Sequence, residues 1–161
     1  MIFCLSIMAY AQTPQDRATE LKKQAQSSLN QKDYIKARYL FKKAYEAFAS
    51  RENYPQAIEC GVQANALYVR ENFYKEGFEL CRDMEQLLWT GEQNKKKVFY
   101  DLRFLINKER LQMYTALKNP AQAKTQLDKL EEMANLAKND SLTEVLLLSL
   151  IHISEPTRRT P

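Results

Sequence analysis

The stretches Asp33-Tyr34-Ile35-Lys36-Ala37, Asn53-Tyr54-Pro55-Gln56-Ala57 and Phe73-Tyr74-Lys75-Glu76-Gly77 decide the fold. Their tyrosines stand 20 residues apart, and their neighbours repeat with them. The register continues through Phe41/Gly61/Cys81, Ala44/Ala64/Met84 and Phe48/Tyr68/Leu88. Apolar residues at every third or fourth position place one stripe along a helix, and a small residue early in that stripe lets a neighbouring helix approach closely. A turn, a small residue and an apolar stripe that recur at a fixed interval describe stacked helical hairpins. Such an array is a binding scaffold rather than a catalyst.

Working outward from these openings, the pattern predicts a first helix over 14–30, with Thr13 as N-cap, Pro14 in the first turn and Ala18, Leu21, Ala25 and Leu29 inward. A second helix is expected over 33–50, a third over 53–70 and a fourth over 73–89. Thr90-Gly91 reads as a break, and a fifth helix is expected over 93–117, with Val98, Leu102, Leu105, Ile106, Met113 and Tyr114 inward. Asn119-Pro120 makes the next turn, because a residue before proline is disfavoured in helix. The sixth helix carries Ala123, Leu127, Leu130, Ala134 and Ala137 and ends near Lys138. Asn139-Asp140-Ser141 reads as the cap of a seventh helix, whose apolar residues are Leu142, Val145 and Leu146. Glycine is scarce, and no strand-like alternation appears. The fold class is all-α, with antiparallel neighbours imposed by the short connections.

Both ends of the chain read differently from its middle. Residues 2–11 form an uncharged apolar run closing on Ala9-Tyr10-Ala11, the small-x-small pattern of a signal-peptide cleavage site, although a basic stretch before it is missing. Export is expected, to the periplasm or to a membrane-anchored position facing it. Cys4 lies in that run without a lipobox. At the other end, residues 148–158, Leu-Ser-Leu-Ile-His-Ile-Ser-Glu-Pro-Thr-Arg, match a translated sequencing-library adaptor. The helical domain is therefore expected to span 12–147 and to be truncated there, with 148–161 as a non-native tail. Without that tail the 24 basic and 20 acidic residues fall to 22 and 19, a net charge of about +3. So small and interspersed a charge does not suggest nucleic acid.

The chemistry of common active sites is missing from the sequence. The only histidine, His152, falls in the tail, which removes histidine-based nucleophile pairs and zinc sites. Cys60 and Cys81 read as small core residues more readily than as a disulfide pair. No glycine-rich phosphate loop occurs. Glu131-Glu132 are adjacent but point in different directions on a helix. No catalytic, cofactor-binding or metal-ligating residue is expected, and the fragment does not read as an enzyme. Lys95-Lys96-Lys97 reads as a solvated start of the fifth helix more readily than as a contact for anionic lipid or an acidic partner, and Trp89 as closing the end of a repeat core more readily than as an exposed anchor.

Asp33-Tyr34-x-x-Ala37-x-x-x-Phe41-x-x-Ala44 resembles the second half of a tetratricopeptide repeat. Pairing consecutive helices yields three repeats covering nearly the whole of 12–147. Tyr68 and Tyr114 match the aromatic position of first helices, and Ala37, Gly77 and Ala123 match the small residue of second helices. These repeats run longer than the family's usual length of about 34 residues, and the tryptophan and glycine of the first helix are absent. The resemblance implies a right-handed solenoid whose first helices line a concave groove. The groove positions are then Lys22, Gln26 and Asn30 on the first helix, Glu59 and Arg70 on the third, and Lys108 and Gln112 on the fifth. Mixed charge and amides suit the backbone and termini of a peptide. Gln26 and Ala66 occupy positions where some family members carry clamp asparagines, so binding of chaperone tails is not expected. An exported array of this kind also resembles the periplasmic sensor region of certain bacterial membrane histidine kinases. That likeness implies a peptide, a protein or a second copy of the chain as partner, with contact to the membrane only through a missing downstream segment. An envelope scaffold without a signalling role is the alternative.

Overall fold

Six helices follow one another in the computed structural model, which describes residues 14–138: α1 Pro14–Asn30, α2 Tyr34–Ala49, α3 Tyr54–Arg70, α4 Tyr74–Lys95, α5 Tyr100–Ala116 and α6 Pro120–Ala137. No strand occurs among the described residues. The signal-like run, the Thr13 cap, the Asn139-Asp140-Ser141 turn with Leu142, Val145 and Leu146, and the adaptor-like tail all lie outside them. The helix starts make the periodicity of the sequence general. Successive starts fall 20 residues apart, except for the 26 between Tyr74 and Tyr100.

One turn joins most of these helices. Lys32, Glu52, Asn72 and Lys118 adopt left-handed backbone conformations with φ between 54° and 62°. The next N–H in each case closes back five residues: Asp33 to the Ser28 carbonyl, Asn53 to Phe48, Phe73 to Tyr68 and Asn119 to Tyr114, at 2.9–3.1 Å. That is the Schellman closure, which satisfies carbonyls left open at a helix end. The closing residue also caps the following helix. The side chains of Asp33, Asn53 and Asn119 accept from the N–H groups of Lys36, Gln56 and Gln122. Phe73 and Phe99 hold the same station without a side-chain cap. Their rings serve packing instead: Phe73 lies under Arg38, and Phe99 against Tyr54.

The expected break at Gly91 is absent, and α4 runs on to Lys95, for 22 residues. Gly91 is a place of close approach rather than a turn. A Cβ there would come within 2.5 Å of the Tyr54 ring, so the bare backbone of α4 lies on that ring. Lys95 and Phe99 complete the surroundings, with centroid distances of 5.0 and 5.5 Å from Tyr54. The helix ends at Lys96, in the left-handed region, and Lys97 closes the turn to the Glu92 carbonyl. Val98 and Phe99 are then added before α5 begins at Tyr100. The three lysines therefore lie at the end of α4, where cations favour the helix dipole, and not at the start of α5. Val98 lies outside the helix and is largely exposed. Trp89 is also exposed, because Met84 and Leu88 take the inward stripe and the next residue rotates outward.

The core is continuous from α1 into α5. Ala37, Phe41, Ala44, Phe48, Ala57, Ile58, Cys60, Cys81, Met84 and Leu88 are all buried in it. Leu102, Ile106 and Met113 of α5 join this cluster, while Phe104 and Leu111 face the other way, into a smaller cluster with Ala123, Leu130 and Ala134 of α6. Buried on two sides, α5 is the link between the clusters. Cys60 and Cys81 are free, and burial pushes each thiol up to about 12.

Candidate partner-binding face

Each odd-numbered helix leaves one polar stripe uncovered. On α3 the inward positions include Ala57, Cys60, Gly61, Ala64 and Leu67, so Glu59, Gln63, Ala66 and Arg70 fall together on the opposite side and are exposed. On α5 the burial of two faces leaves the half-buried Lys108 and the exposed Gln112 on a narrow remaining strip. On α1, Lys22 is partly covered, while Gln26 and Asn30 are exposed and hydrogen-bonded to each other at 3.2 Å.

Contacts between alternate helices show how these stripes align. Lys22 Nζ lies 2.7 Å from Glu59 Oε2 and donates to Gln56 Oε1 at 2.9 Å, bridging α1 to α3. Asn65 Nδ2 donates to Glu109 Oε2 at 3.0 Å, bridging α3 to α5. Of the seven candidate groove residues, Lys22 joins Glu59 and Gln26 joins Asn30. Arg70 turns elsewhere: its guanidinium lies 4.0 Å from the centroid of the Tyr34 ring at the start of α2.

Several residues that shape this face escaped the sequence reading. Gln56 is one, as the second partner of Lys22. Asn65 and Glu109 are others, fully or nearly buried at the α3–α5 contact beside Gly77, where a Cβ would come within 3.0 Å of Asn65 Oδ1. Burial pushes the Glu109 carboxyl above the usual carboxylate range, partly offset by the Asn65 amide. Their positions held a signal: Glu109 falls three residues after Ile106 and four before Met113, on the inward stripe of α5. Glu92 and Arg103 form the tie at the α4–α5 junction. Arg103 Nε donates to Glu92 Oε1 at 2.8 Å, the two also form an ion pair, and the Phe99 N–H donates to the same carboxylate at 3.0 Å. The Arg103 hydrogen bond holds the Glu92 carboxyl below its ordinary range, against the effect of burial.

Among the described residues no group of His, Cys, Asp and Glu side chains could hold a metal ion. No helix among them is long and apolar enough to cross a membrane. A scan against protein-family models and searches of curated proteins and of solved structures found no match to this chain.

Proposed function

We propose that this chain is a protein- or peptide-binding helical module of the tetratricopeptide kind, whose partner lies along the face shared by α1, α3 and α5. The observation that carries the reading is the pair of bridges between alternate helices, Lys22 to Glu59 and Gln56, and Asn65 to Glu109. Helices aligned in this way offer a continuous strip of amides and mixed charge, which suits the backbone of a peptide, a protein segment or a second copy of the chain. The test begins with peptides selected from a displayed library against the folded protein. Replacing Lys22, Arg70 and Lys108 together by glutamate is expected to abolish binding of the selected peptides while helicity is kept. Unchanged affinity would remove these residues from the binding face.

The module is further proposed to act outside the cytoplasm, as the sensor part of a larger membrane signalling protein. Support comes from the apolar run 2–11 with its Ala9-Tyr10-Ala11 ending. Partner binding would then change the curvature of the helical array and pass that change to the membrane. Residues 1–13 fused to a reporter enzyme active only after export should yield activity, and an inactive fusion would contradict the placement. In the parent gene, a membrane-spanning segment followed by kinase motifs is expected past the codon for Leu147. Further repeats and a stop would instead favour an envelope scaffold.

A further inference from the structure

Two clefts lined by none of the seven groove residues share a layout, although Ile35 and Tyr39 of the first give way to Lys75 and Glu79 in the second. The first, of about 400 Å³, lies between the outer flank of α2 and Tyr68 near the end of α3. The second, of about 650 Å³, lies between the same flank of α4 and Tyr114 near the end of α5. Lys42 and Arg82, which stand 40 residues apart, occupy equivalent places in them. Each cleft has a tyrosine wall and a guanidinium already engaged by a carboxylate: Arg38 by Glu71 in the first, Arg110 by Glu85 in the second. Lys42 and Arg82 differ from those guanidiniums, since both are exposed and no carboxylate among the described residues lies within ion-pairing distance of either. Lys75, also without a carboxylate at ion-pairing distance among the described residues, adds a second cation to the second cleft. Apolar surface accompanies the charge. Ile35 and Tyr39, one turn apart at the first cleft, are 68% and 61% exposed, and Phe78 lines the second.

From this arrangement we infer that the two clefts are equivalent docking sites for acidic segments of a partner protein, each taking an apolar side chain flanked by carboxylates. The carboxylate meets Lys42 or Arg82, and the apolar group lies against the tyrosine wall. Glu46 in the first cleft and Glu79 and Glu85 in the second disfavour a uniformly anionic polymer or membrane, which would meet them at the same time as the cations. This surface is separate from the α1–α3–α5 face, and the inference does not depend on that face binding anything.

The probe is a short synthetic peptide, blocked at both ends, with one phenylalanine between glutamates, titrated calorimetrically into the full chain. Two equivalents per chain are expected. Lys42→Glu or Arg82→Glu alone should leave one, and the double variant should weaken binding at least tenfold with unchanged circular dichroism. The triple glutamate variant of Lys22, Arg70 and Lys108 should bind this peptide as the parent does, which separates the two surfaces. Undiminished binding by the double variant, or equal binding of a peptide with glutamine for glutamate, would overturn the inference. So would anionic phosphatidylglycerol vesicles or an oligonucleotide binding more tightly than the peptide through Lys42 and Arg82.

Discussion

The α2–α3 junction and the α4–α5 junction fill the same position with different chemistry. In the first, the Arg38 guanidinium lies 4.8 Å from the Tyr68 ring centroid and 5.2 Å from that of Phe73, and it pairs with Glu71. In the second, Phe78 stands where Arg38 would be and meets Tyr114 with centroids 4.9 Å apart, while Arg110 engages Glu85 through two hydrogen bonds of 2.6 and 2.7 Å. The tyrosine is fixed by the repeat, its partner is not, and an ion pair is present either way. The comparison teaches that the repeat conserves a volume and a place, and that a flat guanidinium or a flat ring can fill it. The second junction also carries the six-residue lengthening of the interval between helix starts, and the Glu92–Arg103 tie belongs to it alone.

The largest effect should come from cutting that tie. Arg103→Met leaves the nearly buried Glu92 carboxylate without its cation and is expected to cost about 3 kcal/mol, read by urea denaturation at neutral pH. The sign of its pH dependence follows from the lowered pKa of Glu92. The stabilisation is present above the carboxylate's ordinary range and is lost as pH falls through the depressed folded value. The variant should therefore differ most from the parent at neutral pH and converge with it in strong acid. Glu109, whose pKa is raised, has the opposite sign. Its burial favours the folded state in acid and costs stability as pH rises from the unfolded value through the folded one. Glu109→Gln keeps an acceptor for Asn65 and should raise the melting temperature at neutral and alkaline pH while changing little in acid.

Exchanging the two junctions sharpens the comparison. Phe78→Arg removes a ring pair worth about 0.5–1.5 kcal/mol and sets a second guanidinium near Arg110. A loss of about 2 kcal/mol is expected, given these two costs together. Arg38→Phe keeps an aromatic stack on Tyr68 but leaves the mostly buried Glu71 carboxylate without its cation, for a loss of about 1–3 kcal/mol. A loss well above these values in chemical denaturation would mean that a ring and a guanidinium cannot exchange places in the two junctions. The smallest effect concerns the turns. Glu52→Gly places glycine where φ is 56° and should stabilise by about 0.5–1 kcal/mol. A lower melting temperature would contradict the left-handed turn.

Most of the fold was legible because its helices are marked by residues with one structural use. Tyr34, Tyr54 and Tyr74 each open a helix, Asp33 and Asn53 cap the first two of these, and the stripes behind them face inward. Legibility fails at Gly91, where glycine reads as a turn signal although the turns here use lysine, glutamate and asparagine. The three glycines serve contacts inside helices instead, against Met84, Met113 and the Tyr54 ring. The end of α4, the position of Lys95-Lys96-Lys97 and the exposure of Val98 all follow from Gly91 staying helical, whereas Trp89 is exposed because Met84 and Leu88 hold the inward stripe. The candidate face was half legible. Its stripes follow from helical periodicity, but the cross-helix pairing of Lys22 with Gln56 and Glu59 depends on how helices distant in sequence align. The Arg70 stack on Tyr34 likewise needed the tertiary arrangement.

The central claim is that α3 packs along its small-residue stripe and leaves the opposite stripe, with Glu59, Gln63, Ala66 and Arg70, exposed. It is tested most directly by making the same substitution on both sides of that helix and comparing thermal melts. Ala57 is fully buried and Ala66 exposed. Ala57→Leu should overpack a helix crossing and cost about 1–3 kcal/mol, whereas Ala66→Leu should stay within about 0.5 kcal/mol of the parent. Equal stability of the two variants, or a greater loss at Ala66, would contradict the packing and the face built on it.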